Sequence, residues 1–376
     1  MKNTLSLSSP YKKDSLKIAI LAHIRIPINE PFGGGMESFT HALAKKLIAK
    51  GHDVTVFASE GSDPSINPRY ISPATGLPLP EAKYSLNSIE YPQYYECRAG
   101  NKILIELKKG DFDIIHNNSL YPIINTFSDF LPMPMVTTLH VPPFQWLAGS
   151  FEHSTNKNNT CVSVSNFMQK LWNPIVNSSI IMNGIDLTKF KYNKNSTKED
   201  FALWFGRITP EKGTIYAIKA AQKAKIKLKI CGDIYNTRYF ENLVKPHIGN
   251  DIEYLGRLPH KEIIKLLGQA KICINTPCWD EAFGLVIAES LACGTPVAVF
   301  KRGAVTEVLD DKSGVFAKPN SVSSLTKAII KAQKLKPEDC RKRAEEIADI
   351  DKMVSQYEAL YRQLIAKQKG LINAAS

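Results

Sequence analysis

Two glutamates, Glu281 and Glu289, flank the start of an apolar stretch in PCWDEAFGLVIAESLACGTP, residues 277–296. Leu285, Val286, Ile287, Ala288, Leu291 and Ala292 mark that stretch as a buried helix opening near Phe283 and Gly284. The first amides of a helix lack helical acceptors and carry partial positive charge, so they suit a diphosphate. Gly284 lets a phosphate approach the backbone. A carboxylate at position 289, among apolar neighbours, needs a hydrogen-bonding partner. Two vicinal ribose hydroxyls would supply one. An acidic helix start followed by a solvated glutamate would give the same letters without any site.

A second cluster is FGRITPEKG, residues 205–213. A strand ending at Gly206 would leave Arg207 and Lys212 projecting from the loop beyond it, where ligands bind in open α/β domains. Two cations there suit a diphosphate, each charge-assisted bond being worth roughly 1.5–3 kcal/mol. A surface ion pair of Lys212 with Glu211 is the plainer reading. Gly33-Gly34-Gly35-Met36-Glu37 is neither a Gly-x-Gly-x-x-Gly fingerprint nor a P-loop. Alone it reads as a tight turn; as a helix start it would face its amides to a cleft. His140 and His116 each end an apolar strand (TTLH, DIIH), which makes a shared site between them an expectation, although a lone histidine is more often structural. His116 and Glu37 are the candidates for contacting a second substrate. Asp111-Phe112-Asp113 has the letters of an Asp-x-Asp metal motif. It stands at the start of a strand, away from the ligand end, and reads as a turn. No metal site is expected.

These residues need strands that end beside them. Apolar runs at 17–22, 54–58, 113–116, 135–139 and 160–164 suit buried parallel strands, and helical spacing at 36–50 separates the first two. Residues 102–109 have a helical pattern. A second series begins near 180, with strands at 179–182, 201–205, 228–231, 252–255, 272–275, 295–300 and 314–317. Helices are expected from Asn166, from Thr214, over 261–270 and over 283–293, and at 337–348 and 351–368. Alternating strands and helices predict an α/β class with parallel sheets covered on both faces, doubly wound, in two domains. Residues 61–95, rich in Pro, Ser, Asn and Tyr, read as a long excursion near the second substrate.

The chain has 376 residues, 44% of them hydrophobic and 22% charged, ordinary for a two-domain globular protein. A formal net charge of +12 points to an acidic partner such as a nucleotide phosphate, or to a generally basic surface. No basic run marks a nucleic-acid arm, and nucleic acid is not an expected partner. Seven cysteines without a Cys-x-x-Cys pair read as buried thiols in a reducing compartment. Residues 1–15 read as a mobile polar lead-in without a signal peptide's apolar core. No stretch is long and apolar enough to span a bilayer. The expected location is the cytoplasm, with a peripheral membrane contact left open by the basic excess.

Taken together, these residues resemble the family-4 retaining glycosyltransferases of GT-B fold, the glycosyl transferases group 1. The family's Glu-x7-Glu pattern is met by Glu281 and Glu289, with Cys278 and Ala282 in place of the usual Ser and Gly. Its Gly-Arg-x4-Lys-Gly element is met by Gly206, Arg207, Lys212 and Gly213, and its Asn-Gly-Ile/Val-Asp element by residues 183–186. The glycine loop, His140 and SVSNF at 163–167 match as well. The resemblance covers about residues 17–365. It implies that Arg207 and Lys212 hold a donor diphosphate and that Glu289 binds ribose hydroxyls. Glu281 would contact the transferred sugar, near the amides of Phe283, Gly284, Leu285 and Val286. The base would lie at Arg257 and Leu258, Gly34 and Gly35 would approach the phosphates, and His140 would sit beside the reacting carbon. No cofactor or metal is implied; a nucleoside-diphosphate sugar, by default uridine-linked, is the co-substrate. The acceptor is a saccharide, a lipid-linked molecule or a small molecule. The implied domains are 16–180 plus 357–376, binding the acceptor, and 181–356, binding the nucleotide sugar.

The expected reaction moves a sugar to an acceptor hydroxyl with retention. A nucleotide-sugar epimerase of the same fold and a non-enzymatic nucleotide-binding module are the rivals. A glycoside hydrolase using Glu281 and Glu289 is a further rival, but eight residues of helix span about 12 Å, more than the roughly 5–9.5 Å its carboxyl pair requires.

Overall fold

The structure is a computed structural model that describes residues 14–75, 90–152, 154–195, 197–249 and 251–375. Most of the expected lead-in, and much of the 61–95 excursion, lie outside the described residues. Two parallel sheets form the chain. The first contains β1 (Lys17–Leu21), β2 (Asp53–Ser59), β3 (Pro68–Ser72), β4 (Ile114–Asn117), β5 (Met135–Leu139), β6 (Asn159–Ser163) and β7 (Ser178–Ile180), ordered β3-β2-β1-β4-β5-β6-β7. The second contains β8 (Glu199–Phe205), β9 (Lys227–Cys231), β10 (Ile252–Tyr254), β11 (Ala270–Asn275), β12 (Val297–Phe300) and β13 (Gly314–Ala317), ordered β10-β9-β8-β11-β12-β13. The architecture is the α/β, two-domain Rossmann-like arrangement expected. The central strands β4, β5 and β12 are buried at every residue, as in a parallel sheet covered by helices on both faces.

In each sheet the winding reverses once, between β1 and β4 and between β8 and β11. A crevice opens at such a reversal beyond the carboxyl ends of the strands. The glycine loop follows β1, the Arg207 loop follows β8, and the Glu281 loop follows β11. The sequence clusters are therefore placed by topology at the two reversals.

The strand β3 falls inside the region read as an excursion. It was hidden because only Ile71 of its five residues is buried, as an edge strand paired on one side allows. The helix over 102–109 begins earlier, as Glu90–Lys109. The helix Val322–Ala332, which packs Leu325, Ala328, Ile329 and Ala332 on the second sheet's core, also escaped the reading.

The chain crosses between domains twice, side by side. Ile185 N donates to Ala348 O (2.8 Å) and Ile350 N to Ile185 O (3.2 Å). The last helix, Ile350–Ala375, buries Ile350, Met353, Val354, Tyr357 and Tyr361 in the first sheet's core. The return thus begins at Ile350, ahead of the expected residue 357. Gly184 explains the Asn-Gly-Ile-Asp element: a Cβ there would lie 2.5 Å from Ile350 Cα and 2.7 Å from its nitrogen. Gly184→Ala is expected to cost about 1–3 kcal/mol through this overlap, read as a lowered midpoint in thermal unfolding; an unchanged midpoint would show that the crossing is looser than it stands here.

Asp111 and Asp113 behave as the turn expected. Asp111 pairs with Lys17 Nζ, and Asp113 accepts from Lys17 N (2.8 Å), at the amino ends of β1 and β4 and away from the crevice. All seven cysteines are free, five of them buried. No helix among the described residues is long and apolar enough to cross a membrane.

Candidate active site

The two crevices merge into one cleft of about 950 Å³, lined from both domains. Gly34, Gly35, Glu37 and His140 line it from the first domain. Arg207, Lys212, Arg257 and Leu258 line it from the second, with Glu281, Phe283, Gly284, Leu285, Val286 and Glu289. Lys212 and Glu289 thus open onto one space.

On the second domain's side, the helix Leu285–Ala292 starts in the cleft with Gly284 as its cap, at φ 103° and with no side-chain cap bond. That backbone turn favours glycine, and it leaves the first amides of the helix facing the cleft. Glu289 stands one turn in, 5% exposed. Its carboxyl has no hydrogen-bond partner among the described residues. Burial raises it to about 8, with Lys189 pulling weakly the other way. Arg207 forms no ion pair among the described residues and lies over the Tyr235 ring at 5.5 Å. Lys212 Nζ is bound to Glu281 Oε1 at 2.6 Å, and not to Glu211 as the plainer reading had it. Arg257 bonds Asp233 at 3.1 Å and reaches across the cleft to the carbonyl of Pro31.

On the first domain's side, the helix Gly35–Ala49 opens at Gly34, so the glycine loop is a helix start rather than a bare turn. A Cβ on Gly35 would come within 3.0 Å of Leu285 Cδ1, so the loop reaches the opposite helix. Glu37 pairs with His23 at 3.0 Å. Burial, the largest single influence, would raise its carboxyl, but the hydrogen bond and charge of His23, its own backbone amide and the charge of Arg207 together hold it below the usual carboxylate value. His140 Nε2 donates to Asn118 Oδ1 (2.9 Å), and its ring packs edge-on against Phe39 at 4.6 Å. Burial, then the nearby His116 and His23, push its imidazole down to about 3, so it is neutral at pH 7.

His116 is a correction. It is fully buried and does not line the cleft. Its Nε2 bonds Thr138 Oγ1 (2.8 Å), its Nδ1 bonds the Tyr361 hydroxyl, and Thr138 also meets Tyr357 (3.1 Å). It anchors the returning helix to the sheet. A strand alternates its faces, and strand-end position alone does not say which face a histidine takes.

Other lining residues carried weaker signals. Trp279, inside the glutamate segment, donates its indole N–H to Glu281 Oε1 (2.9 Å). Phe144 and Trp146 are 43% and 58% exposed at the mouth on the first domain's side. His23, which lines the cleft, and Tyr235, which lies outside its lining but under Arg207, sit in loops after β1 and β9, a position that could have flagged them. Among the described residues no cluster of His, Cys, Asp and Glu could hold a metal ion.

Comparison with known proteins bears on the family and the fold. The family "Glycosyl transferases group 1" matches residues 186–349, and "Glycosyltransferase Family 4" matches residues 33–189. The chain is 25% identical over 339 residues to a glycogen synthase of Mycobacterium tuberculosis, covering 79% of this chain and 81% of that protein. In fold it is similar to a sucrose-phosphate synthase from Thermosynechococcus elongatus, with a TM-score of 0.77 and 18% identity over 94% of this chain and 100% of that one. It is likewise similar to the Anabaena protein HepE in complex with UDP and glucose, with a TM-score of 0.70 and 18% identity over 93% of this chain and 100% of that one.

Proposed function

The chain belongs to the group 1 glycosyltransferases, matched over residues 186–349, with the family 4 match over residues 33–189 preceding it, and from that premise we propose that it moves a hexosyl group from a uridine-diphosphate sugar to an acceptor hydroxyl with retention at the anomeric carbon. The observation that carries the donor half is Glu289, a buried carboxyl without a partner among the described residues, beside bare helix amides and an arginine that forms no ion pair with those residues. Vicinal ribose hydroxyls would supply the missing bonds. The diphosphate would lie between Arg207, Lys212 and the amides of Leu285 and Val286, and the base would lie by Arg257 and Leu258.

Departure of the nucleoside diphosphate builds negative charge on its terminal phosphate. Fixed donors aimed at that charge stabilise the transition state more than the ground state. The two cations and the helix start can do this without a metal or a cofactor. The acceptor hydroxyl would approach from the first domain, past Phe144 and Trp146, on the face the diphosphate leaves. A donor phosphate oxygen then accepts its proton. His140, neutral and fixed by Asn118, would sit beside the reacting carbon as a hydrogen-bonding group, not as a cation. A cytoplasmic, membrane-peripheral site of action goes with the free thiols and the basic excess.

The test is a thermal-shift panel of UDP, GDP, ADP and their sugars. A ligand at 100 times its dissociation constant adds about 2.7 kcal/mol, a shift of several degrees for a protein of this size. A clear preference for one nucleoside diphosphate is expected, followed by product with an added sugar when acceptors are supplied. No shift with any nucleotide would overturn the donor site. Conversion of the sugar without an acceptor would turn the reading to an epimerase.

A further inference from the structure

The Lys212–Glu281 pair presents a difficulty for the reading above, on which this inference rests: the lysine assigned to the diphosphate is already bound to a carboxylate. The loops that carry the two residues are stitched together. Cys278 N donates to Glu211 O (2.8 Å), and Thr276 Oγ1 donates to Lys212 O (2.9 Å). Glu281 is fixed from its other side, where Ala304 N donates to its carbonyl (2.8 Å). A Cβ on Gly303 would lie 2.3 Å from that carbonyl oxygen, so the two segments are in close backbone contact. Neither backbone can withdraw, and the ammonium and carboxylate part only by rotating side chains toward new partners.

A diphosphate offers the lysine such a partner. Glu281 would then be left nearly buried, its side chain 11% exposed, without its cation. Among the described residues one donor stays: the Trp279 indole N–H, 2.9 Å from the same oxygen, on a ring whose face lies 4.9 Å from Lys212 Nζ. We infer that Trp279 is a positioning residue that holds Glu281 toward the donor sugar once the diphosphate has taken Lys212, so that the ion pair is a latch opened by the diphosphate and read out by the sugar. Sugar hydroxyls then complete the hydrogen bonding of the carboxylate. No bond is made or broken in the exchange; only hydrogen-bond partners change.

Two variants test this by calorimetry with UDP, UDP-glucose, UDP-galactose and UDP-N-acetylglucosamine, taking the tightest sugar as probe. Trp279→Phe keeps a ring over Lys212 and removes the N–H. Its UDP affinity should stay within about twofold of wild type, while the extra affinity of UDP-sugar over UDP falls about tenfold. Turnover of the probe should fall with less change in KM. Glu281→Gln removes the competing charge, so UDP should bind about fivefold tighter although a cleft residue has been altered. A Trp279→Phe protein with undiminished sugar preference, or equal losses for UDP and UDP-sugar, would overturn the inference, as would a Glu281→Gln protein that binds UDP no better than wild type. Wild-type protein that binds no nucleotide would instead bring down the donor site itself, and the latch with it.

Discussion

Lys212→Ala is expected to reduce turnover by about 10²–10³-fold, the usual cost of removing one donor from a site where transition-state charge develops. Substrate affinity should fall less, because on the proposed reading Arg207 and the amides of Leu285 and Val286 would still face the diphosphate. The variant also strips Glu281 of its cation at 2.6 Å. That carboxylate would then sit beside the donor phosphates and repel them, so the loss should exceed that of a lysine with no such neighbour. Steady-state kcat and KM with the donor found by thermal shift would measure both effects. Turnover within about threefold of wild type would show that Lys212 belongs to the fold and not to the chemistry.

Glu289 predicts the second large effect, and its sign follows from burial. Burial pushes its carboxyl up to about 8, against an ordinary value of 4.5. Between those two values the folded chain holds a proton that the unfolded chain has released. Stability of the protein without added ligand should therefore fall as pH rises from about 4.5 to about 8, by roughly 3–5 kcal/mol in all from this group. Ribose hydroxyls donate to the ionised form and favour it. Binding should then expel a proton at pH 7, and affinity for the donor sugar nucleotide found by thermal shift should rise between pH 6 and pH 8 by up to about tenfold per unit. A diphosphate ester has no titrating group of its own in that window. Calorimetry in two buffers of different ionisation enthalpy reads the proton directly. Glu289→Gln should abolish its release and flatten the stability slope, while Glu289→Ala should weaken donor binding at least about tenfold. Proton release that survives in the glutamine variant would assign the titration to another group.

Much of this site was legible in the letters because its parts are contiguous with the strands that position them. Arg207 follows β8 by two residues, His140 follows β5 directly, and Gly284 opens the helix that carries Glu289. Parallel α/β sheets put such loops at one end, so order along the chain translates into place. Trp279 lay inside the segment already singled out, but its bond to Glu281 could not be read, because a two-residue spacing in a loop fixes no direction.

What the sequence by itself determined was the class of fold, the positions of most strands, and the convergence of cations and a helix start on one cleft, since each depends on local pattern and on strand ends. Tertiary structure alone decided the rest. His116 turned inward to Tyr361 and Thr138, because the returning helix offers partners on that face. The chain crossed back at Ile350, because Gly184 leaves room for it there. Lys212 found Glu281 rather than Glu211, because the loops after β8 and β11, which pair in the sheet, bring residues 69 positions apart into contact. Contacts of that kind are chosen by packing between elements, and nothing in the spacing of single residues along a chain encodes which neighbour wins.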